Sequence, residues 1–118
     1  IPGLLSGTAK KIIKKFKLNK KSRVLDLGCG KGFLLYEIKK VLPDISVVGL
    51  DISRYAIKNS KKEIKKNIFF HDLRKKLKFK FKEFDLAISL ATLHNLDLMS
   101  LELAVKEMSR VSKKQYIF

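Results

Sequence analysis

Short runs of consecutive apolar residues alternate along the chain with longer segments in which apolar residues recur every three or four positions. The short runs have the length and continuity of strands buried on both faces, and they cover residues 23–27, 46–50, 67–70, 84–90 and 116–118. The periodic segments predict amphipathic helices over residues 8–18, 34–42, 53–64 and 97–110. This alternation predicts an α/β fold in three layers, with a Rossmann-like, doubly wound, mostly parallel sheet and helices on both faces.

The sequence also predicts which residues cap these helices and which side chains face the sheet. Thr8 is expected to cap the first helix and Ser53 the third. The last helix is expected to turn Glu107 toward solvent and four apolar side chains toward the sheet, namely Leu98, Leu101, Val105 and Met108.

The composition suits one folded domain, which we expect to span residues 1–118. With 118 residues, of which 46% are hydrophobic and 32% charged, the chain is too short for several domains and too apolar for a disordered protein. No apolar run approaches the roughly 20 residues of a membrane-spanning helix. A single cysteine, Cys29, and two histidines argue against a disulfide or a metal site, so we expect a reducing, cytoplasmic setting.

Positive charge is concentrated in the first two thirds of the chain. Residues 1–82 hold 23 basic and 6 acidic side chains, residues 83–118 hold 4 and 5, and the formal net charge is +16. Such a field attracts polyanions, which keeps RNA open as a partner. Composition alone is the other explanation, because only 4 of the 27 basic residues are arginines, the residues that phosphate-gripping surfaces favour.

Three glycines separate the first strand from the second helix. Gly28, Gly30 and Gly32 let the backbone turn sharply and let a ligand lie against bare peptide, and the helix N-terminus behind them suits an anionic group. A dinucleotide-binding G-x-G-x-x-G pattern would need glycine at position 33, which is Phe33. Asp26, two residues before the first glycine, suits an ammonium group better than a pyrophosphate.

The segment 24–32, an acidic residue followed by G-x-G-x-G, resembles the first motif of the class I S-adenosylmethionine-dependent methyltransferases. The resemblance implies S-adenosyl-L-methionine as cofactor and S-adenosyl-L-homocysteine as product. It also implies that Asp26, the three glycines and Cys29 contact the cofactor, with Cys29 as a small residue inside the turn. A purely structural turn is the alternative.

A second acid, Asp51, ends the second strand. The carboxyl ends of neighbouring parallel strands share one crevice, so Asp51 is expected beside the glycine turn. A carboxylate there can accept hydrogen bonds from both hydroxyls of a ribose. The alternative is a helix-capping acid next to Ser53.

The resemblance extends past the third strand. By analogy with the family, Asp72 meets the adenine amino group, while Ile52 and Leu73 pack on the faces of the adenine ring. An ordinary loop acid is the alternative for Asp72.

Residues 84–95 resemble the family's fourth-strand motif, whose exit lies between the cofactor methyl group and the acceptor. The resemblance implies that Ser89 contacts the cofactor. His94 is the one titratable candidate for a general base, and a capping or packing histidine is an equal alternative. The exit lacks the Asn/Asp-Pro-Pro-aromatic and Pro-Cys signatures of nucleic-acid methyltransferases, so it resembles the small-molecule branch.

Cationic residues alternate with apolar ones between positions 74 and 82. This segment suits single-stranded nucleic acid, through charge and base stacking. The other interpretation is a loop between the third and fourth strands, with phenylalanines inward and lysines in solvent.

The resemblance covers nearly the whole chain but only five of the family's usual seven strands. We expect a missing segment, or another chain such as a second copy, to cover the open edge of strand five. Residues 112–115 are expected to form a turn before that strand. The leading hypothesis is a methyltransferase core acting on a small-molecule acceptor, a metabolite or sugar-type intermediate. An RNA methyltransferase and a cofactor-binding fragment without catalysis are the alternatives.

Overall fold

The computed structural model describes residues 5–90 and 92–118, in which five strands form one sheet between two layers of helices. The strands are β1 (Arg23–Leu27), β2 (Ser46–Asp51), β3 (Ile68–Phe70), β4 (Phe84–Ser89) and β5 (Ser112–Ile117). The helices are α1 (Ser6–Lys15), α2 (Phe33–Val41), α3 (Arg54–Lys58) and α4 (Leu98–Val111). The predicted α/β, Rossmann-like architecture is confirmed.

All neighbouring strands are parallel, and their order across the sheet is β3-β2-β1-β4-β5. The chain moves to one side of β1 to form β2 and β3, then crosses to the other side to form β4 and β5. A crevice therefore opens where the connections diverge, at the carboxyl ends of β1, β2 and β4. In β1, Asp26 lies in register with Gly49 of β2 and Ile88 of β4.

Two apolar clusters cover the two faces of the sheet. The first packs α1 and α2 against β1, β2 and β4, and its buried members include Ala9, Ile12, Val24, Leu35, Ile38 and Val47. The second packs α4 and the segment before β4 against the other face, and includes Leu25, Leu27, Leu73, Leu77, Met108 and Val111. Because side chains alternate along a strand, Asp26 shares the face of Val24. The end of β1 is thus held from both sides.

The first and third helices differ from the expected bounds. Helix α1 already begins at Ser6, after an N-cap at Leu5, and no side chain of residues 5–90 and 92–118 caps it, so the expectation for Thr8 is wrong. Ser53 does cap α3, accepting the Ala56 N–H at 3.0 Å. Helix α3 ends at Lys58, yet Ile64, expected on its inner face, is fully buried in the segment that follows.

Helix α4 faces the sheet with a different set of residues from the expected one. Its buried residues are Ala104, Glu107, Met108 and Val111, whereas Leu98 is 70% exposed. The Glu107 carboxylate accepts the Leu77 N–H at 2.8 Å and two hydrogen bonds from Arg110. The expectation that Glu107 faces solvent is wrong, because this carboxylate anchors the segment before β4.

The segment before β4 and the entry to β5 also correct two expectations. Phe79 packs edge to face on Phe84, with ring centroids 4.9 Å apart, but Phe81 is 72% exposed, so only one of the two phenylalanines points inward. Helix α4 passes directly into β5 at Ser112, whose backbone is already extended. Residues 112–115 are therefore strand rather than turn.

Candidate functional site

A crevice of about 210 Å³ opens at the carboxyl edge of the sheet, beside the glycine turn. It is lined by Gly28, Asp51, Ile52, Asp72, Leu73, Arg74, Thr92, Asn95 and Leu96. The first five of these are predicted site residues, brought together from the ends of three strands. A larger hollow of about 320 Å³, between α2 and residues 63–64, contains none of the predicted site residues.

The glycine turn has a backbone conformation that other residues rarely adopt. Gly28, Gly30 and Gly32 have φ angles of 76°, 58° and 77°, in the left-handed region. The N–H groups of Gly28 and Cys29 both donate to the Leu50 carbonyl, at 2.7 and 3.0 Å. The turn is therefore tied to the end of β2.

The three glycines differ in what surrounds them. A β-carbon on Gly28 would collide with the Thr92 side chain, and one on Gly32 with Ile64 and Ile68. A β-carbon on Gly30 would meet no atom of the described residues within 4 Å. Gly28 and Gly32 are thus needed for packing, while Gly30 presents bare backbone to open space.

The Asp51 carboxylate points at the bend of this turn, as expected. Its Oδ1 accepts the Gly30 N–H at 3.0 Å, and its Oδ2 accepts the Ser53 N–H at 2.9 Å. A carboxylate has about four acceptor positions. About two therefore remain for a ligand that carries hydroxyl donors.

The Asp26 carboxyl group is buried next to this arrangement. The side chain is 3% exposed, and none of the described residues donates a hydrogen bond to it. Burial, and then the charge of Asp51, raise the pKa of Asp26 to about 7. A cationic ligand group beside Asp26 would supply the partner that favours its charged form.

The side chains of Cys29 and Ser89, both predicted to contact the cofactor, contact other parts of the sheet instead. The Cys29 side chain packs over Gly49, where an added β-carbon would come within 2.7 Å of its sulfur. Burial, followed by the charges of Asp26 and Asp51, raises the pKa of the Cys29 thiol well above its usual range. Ser89 is 1% exposed and its hydroxyl donates to the Leu27 carbonyl at 3.1 Å. Neither side chain has a polar group free for a ligand.

The far wall of the crevice combines an acid with two apolar side chains. Ile52 is 54% exposed, and Leu73 is 8% exposed in the second apolar cluster. The Asp72 carboxylate pairs with Arg74, with 2.7 Å between Asp72 Oδ2 and Arg74 Nη2. Hydrogen bonds from the Arg74 side chain are the main cause of an Asp72 pKa well below its usual range.

The turn after β4 contributes residues other than the predicted His94. A single turn of 3-10 helix covers Leu93–Asn95; His94 is exposed there and does not line the crevice. Thr92 and Asn95 do line it, and both belong to the exit that the sequence predicts as part of the site.

Arg74 and Leu96 also line the crevice, and the sequence did not predict either of them as a site residue. The only sequence signal for Arg74 is its position two residues after Asp72, the spacing of an Asx-turn, and its N–H does donate to Asp72 Oδ1 at 3.0 Å.

Two classes of site are absent from the described ranges. Within residues 5–90 and 92–118, no helix combines the length and apolar character that a membrane crossing requires. In the same ranges, no group of three or more histidine, cysteine, aspartate and glutamate side chains is arranged to hold a metal ion.

Three solved structures resemble the fold of this chain. A protein of Methanococcus maripaludis, provisionally assigned as an S-adenosyl-L-methionine-dependent methyltransferase, is 22% identical with a TM-score of 0.80, and the match covers 98% of this chain and 55% of that one. The PH0226 protein of Pyrococcus horikoshii OT3 is 28% identical, with a TM-score of 0.76 and coverages of 92% and 53%. The [4+2]-cyclase SpnF is 21% identical, with a TM-score of 0.74 and coverages of 92% and 41%.

The chain spans about half the length of the first two of these structures. No curated protein matches it significantly. A family model described as a methyltransferase domain matches residues 18–118. This chain therefore belongs to the methyltransferase domain family, in agreement with its resemblance to the class I S-adenosylmethionine-dependent enzymes.

Proposed function

We propose that this domain binds S-adenosyl-L-methionine in the crevice and directs methyl transfer to a small-molecule acceptor. One observation carries the proposal: the Asp51 carboxylate lies 3.0 Å from the Gly30 N–H, beside a glycine that faces open space. A carboxylate and bare backbone at the same bend suit a ribose lying against the turn.

The groups around the bend fit the amino-acid and ribose parts of this cofactor. Asp51 accepts hydrogen bonds from the two ribose hydroxyls. Asp26 balances the cofactor ammonium group, which would supply the partner that this carboxylate lacks among the described residues. No side chain in the described ranges caps the N-terminus of α2, so its N–H groups suit the cofactor carboxylate.

The far wall fits the adenine part. Asp72 accepts a hydrogen bond from the adenine amino group, and Ile52 and Leu73 pack on the ring. Ile52 lines the crevice and is 54% exposed, so its side chain is accessible to a ring bound there. Cys29 contributes only its place in the turn, and Ser89 joins the end of β4 to the end of β1; we assign neither a direct polar contact.

For methyl transfer, the chain has to bind the cofactor and orient it toward the acceptor. When bound, S-adenosylmethionine supplies a methyl group that its sulfonium already activates. The residues of the crevice hold it, align it with the acceptor and exclude water, which provides on the order of 7 to 11 kcal/mol at best. His94 acts as general base only for an acceptor that must lose a proton.

The residues after β4 support a small-molecule acceptor. Their sequence, Leu-Ala-Thr-Leu-His-Asn, carries neither the Asn/Asp-Pro-Pro-aromatic nor the Pro-Cys signature of nucleic-acid methyltransferases. At about 210 Å³ the crevice is smaller than the roughly 300 to 1,000 Å³ of common ligand pockets. Because so small a space cannot hold a cofactor and an acceptor together, we expect the acceptor to bind outside it.

Calorimetry and isotope transfer test the two parts of the proposal. S-Adenosyl-L-homocysteine is expected to bind more tightly than NAD; tighter binding of NAD would overturn the cofactor assignment. With methyl-labelled cofactor and a cell extract, label is expected in the low-molecular-mass fraction. Because the similar SpnF structure is that of a cyclase, cofactor binding without any label transfer would contradict methyl transfer while leaving the binding site intact.

RNA is a second candidate acceptor, favoured by an aromatic–cationic surface next to the crevice, defined here as Lys31, Arg54, Tyr55 and Phe70. The Arg54 guanidinium lies 4.0 Å from the Phe70 ring centroid, and the Lys31 ammonium lies 5.7 Å from the Tyr55 ring. Tyr55 is 70% and Phe70 45% exposed. Exposed rings among cations suit stacked bases with phosphates around them.

A salt titration separates the two acceptors. Label in an RNase-sensitive fraction, together with RNA binding that survives physiological salt and weakens in Tyr55→Ala, would favour RNA. Binding that disappears at that salt concentration would reflect the charge of +16 alone and leave the small molecule as the acceptor.

A further inference from the structure

Arg74 lies at the rim of the crevice and holds Asp72 in a two-pronged arrangement. Its Nε lies 3.0 Å from Asp72 Oδ1, and its Nη2 lies 2.7 Å from Asp72 Oδ2. The Arg74 backbone N–H donates to the same Oδ1 at 3.0 Å. Such a fork fixes both the position and the plane of a carboxylate.

The fork leaves the carboxylate with limited capacity for a ligand. Oδ1 accepts from the backbone N–H and from Nε of Arg74, which fills its two acceptor positions. Oδ2 accepts mainly from Nη2, with a longer contact of 3.1 Å to Nε. One acceptor position therefore remains, on Oδ2.

Within the part of the chain that the structure describes, no other group supports this carboxylate. Among the described residues, every hydrogen bond to the Asp72 side chain comes from Arg74. The Asp72 side chain is 16% exposed, so without Arg74 it would be free to turn between the crevice and solvent. The orientation of Asp72 thus depends on Arg74.

The pair contributes little to the stability of the fold. The Arg74 side chain is 61% exposed, and an ion pair in water gains little because solvent screens it. Arg74 also lines the crevice, and the charge of Asp97, which caps α4, acts on its guanidinium. A weakly stabilising pair at the mouth of a binding crevice is better explained by ligand recognition.

We propose that Arg74 is a positioning residue that sets base selectivity, by holding the one open acceptor position of Asp72 toward the amino group of the base. The inference rests on the proposed function, because it takes the crevice to hold an adenosyl group. A base with a carbonyl oxygen at that edge would meet the carboxylate oxygen without a proton between them, and a site built to bond a donor rejects such an analogue.

Calorimetry with two ligands tests the inference. S-Adenosyl-L-homocysteine carries the amino group, and S-inosyl-L-homocysteine replaces it with a carbonyl. In Arg74→Met we expect the affinity for the first ligand to fall about 10-fold and the affinity for the second to change less than about 2-fold. A merely structural role would lower both affinities by the same factor and leave their ratio unchanged.

Two further variants sharpen the comparison. Arg74→Lys keeps the charge but cannot form the fork, so its ligand ratio is expected to resemble that of Arg74→Met. Lys75→Met removes a neighbouring cation from the same loop and is expected to keep the wild-type ratio. An unchanged ratio in Arg74→Met, or tighter binding of S-adenosyl-L-homocysteine to it, would overturn the inference. Failure of the wild type to bind either ligand would instead contradict the proposed function.

Discussion

The Asp51 carboxylate accepts the Gly30 N–H at 3.0 Å, so a side chain from the end of β2 closes onto the turn that follows β1. The contact joins two residues that lie 21 positions apart in the chain. Because Ser53 donates to the other carboxylate oxygen, Asp51 is held in place before any ligand arrives. The crevice thus presents a fixed carboxylate rather than a mobile one.

Replacing this carboxylate is expected to weaken cofactor binding. Asp51→Asn removes the charge and turns one acceptor oxygen into an NH₂ group, which cannot accept from an N–H or a hydroxyl. Hydrogen bonds to charged groups contribute about 1.5 to 3 kcal/mol, so we expect roughly a 10- to 100-fold loss of S-adenosyl-L-homocysteine affinity by calorimetry. The control is Asp44→Asn, an exposed acid in the loop before β2. Equal affinity in both variants would exclude a role for Asp51 in binding.

Two of the three glycines, Gly28 and Gly30, are expected to respond differently to alanine. Gly30→Ala adds a β-carbon to open space, so the cost is mainly the left-handed backbone, about 1 to 2 kcal/mol. Gly28→Ala also forces the new methyl group into Thr92 and should unfold at lower urea. We expect Gly30→Ala to be the more stable protein and yet to bind S-adenosyl-L-homocysteine poorly, since its methyl group occupies the ligand's space. Wild-type affinity in Gly30→Ala would contradict this placement.

Asp26 is expected to make the ligand-free domain less stable as the pH rises. Its pKa is about 7 when folded and near its ordinary 3.8 when unfolded. Between these values the folded state holds the proton more tightly, so the free energy of unfolding falls from pH 4 to pH 7. Asp26→Asn removes this term and should be more stable than the wild type at pH 8, by urea unfolding. A parallel pH dependence in both proteins would show that Asp26 titrates normally.

The same carboxyl group is expected to release a proton when the cofactor binds. At pH 6 most Asp26 is protonated in the free protein, and an ammonium group beside it favours the charged form. Calorimetry in buffers of different ionisation enthalpy should therefore detect nearly one released proton at pH 6 and almost none at pH 8.5. Asp26→Asn should release none at either pH. Equal proton release in the variant would assign the effect to another group.

Glu107 is expected to stabilise the segment before β4 at neutral pH and to lose this effect in acid. Hydrogen bonds from Arg110 are the main reason why its pKa is lowered from 4.5 to about 2. A lowered pKa stabilises the fold above about pH 4.5, and that stabilisation disappears as the pH falls toward 2. Glu107→Ala should cost about 1 to 3 kcal/mol at pH 7, whereas the exposed Glu102→Ala on the same helix should cost almost nothing. A similar loss in both variants would contradict the anchoring role.

The parts of the fold that could be predicted are those specified by local sequence. Continuous apolar runs predicted the central strands β1, β2 and β4 well, because these strands are largely buried on both faces of the sheet. The edge strands β3 and β5 are partly exposed, and only the last residues of β5 were predicted as strand. The glycine turn and Asp51 could also be placed, since strand ends in a parallel sheet share one edge. The structure accordingly shows the glycine turn in hydrogen-bond contact with Asp51 and with the end of β2, as the pattern predicted.

The parts that could not be predicted depend on pairs of residues distant in the chain. Glu107 is charged, so its sequence position alone indicates a surface residue. Only the structure shows that the Leu77 N–H and the Arg110 side chain donate hydrogen bonds to it. Ser112 follows a helix without glycine or proline, so nothing local announces that β5 begins there. Arg74 belongs to a run of cations, and only its geometry against Asp72 distinguishes it from its neighbours.

The position of Cys29 over Gly49 makes its thiol a natural reporter of local opening at the glycine turn. The sulfur occupies the space that the missing Gly49 side chain leaves, and its raised pKa keeps the thiolate scarce. Cys29 is partly exposed in the folded domain, so we expect a thiol reagent to react slowly there and faster when the bend lifts away from the second strand. Cys29 is the only cysteine in the sequence. A change in the rate at which it is labelled therefore reports this opening without any engineered probe.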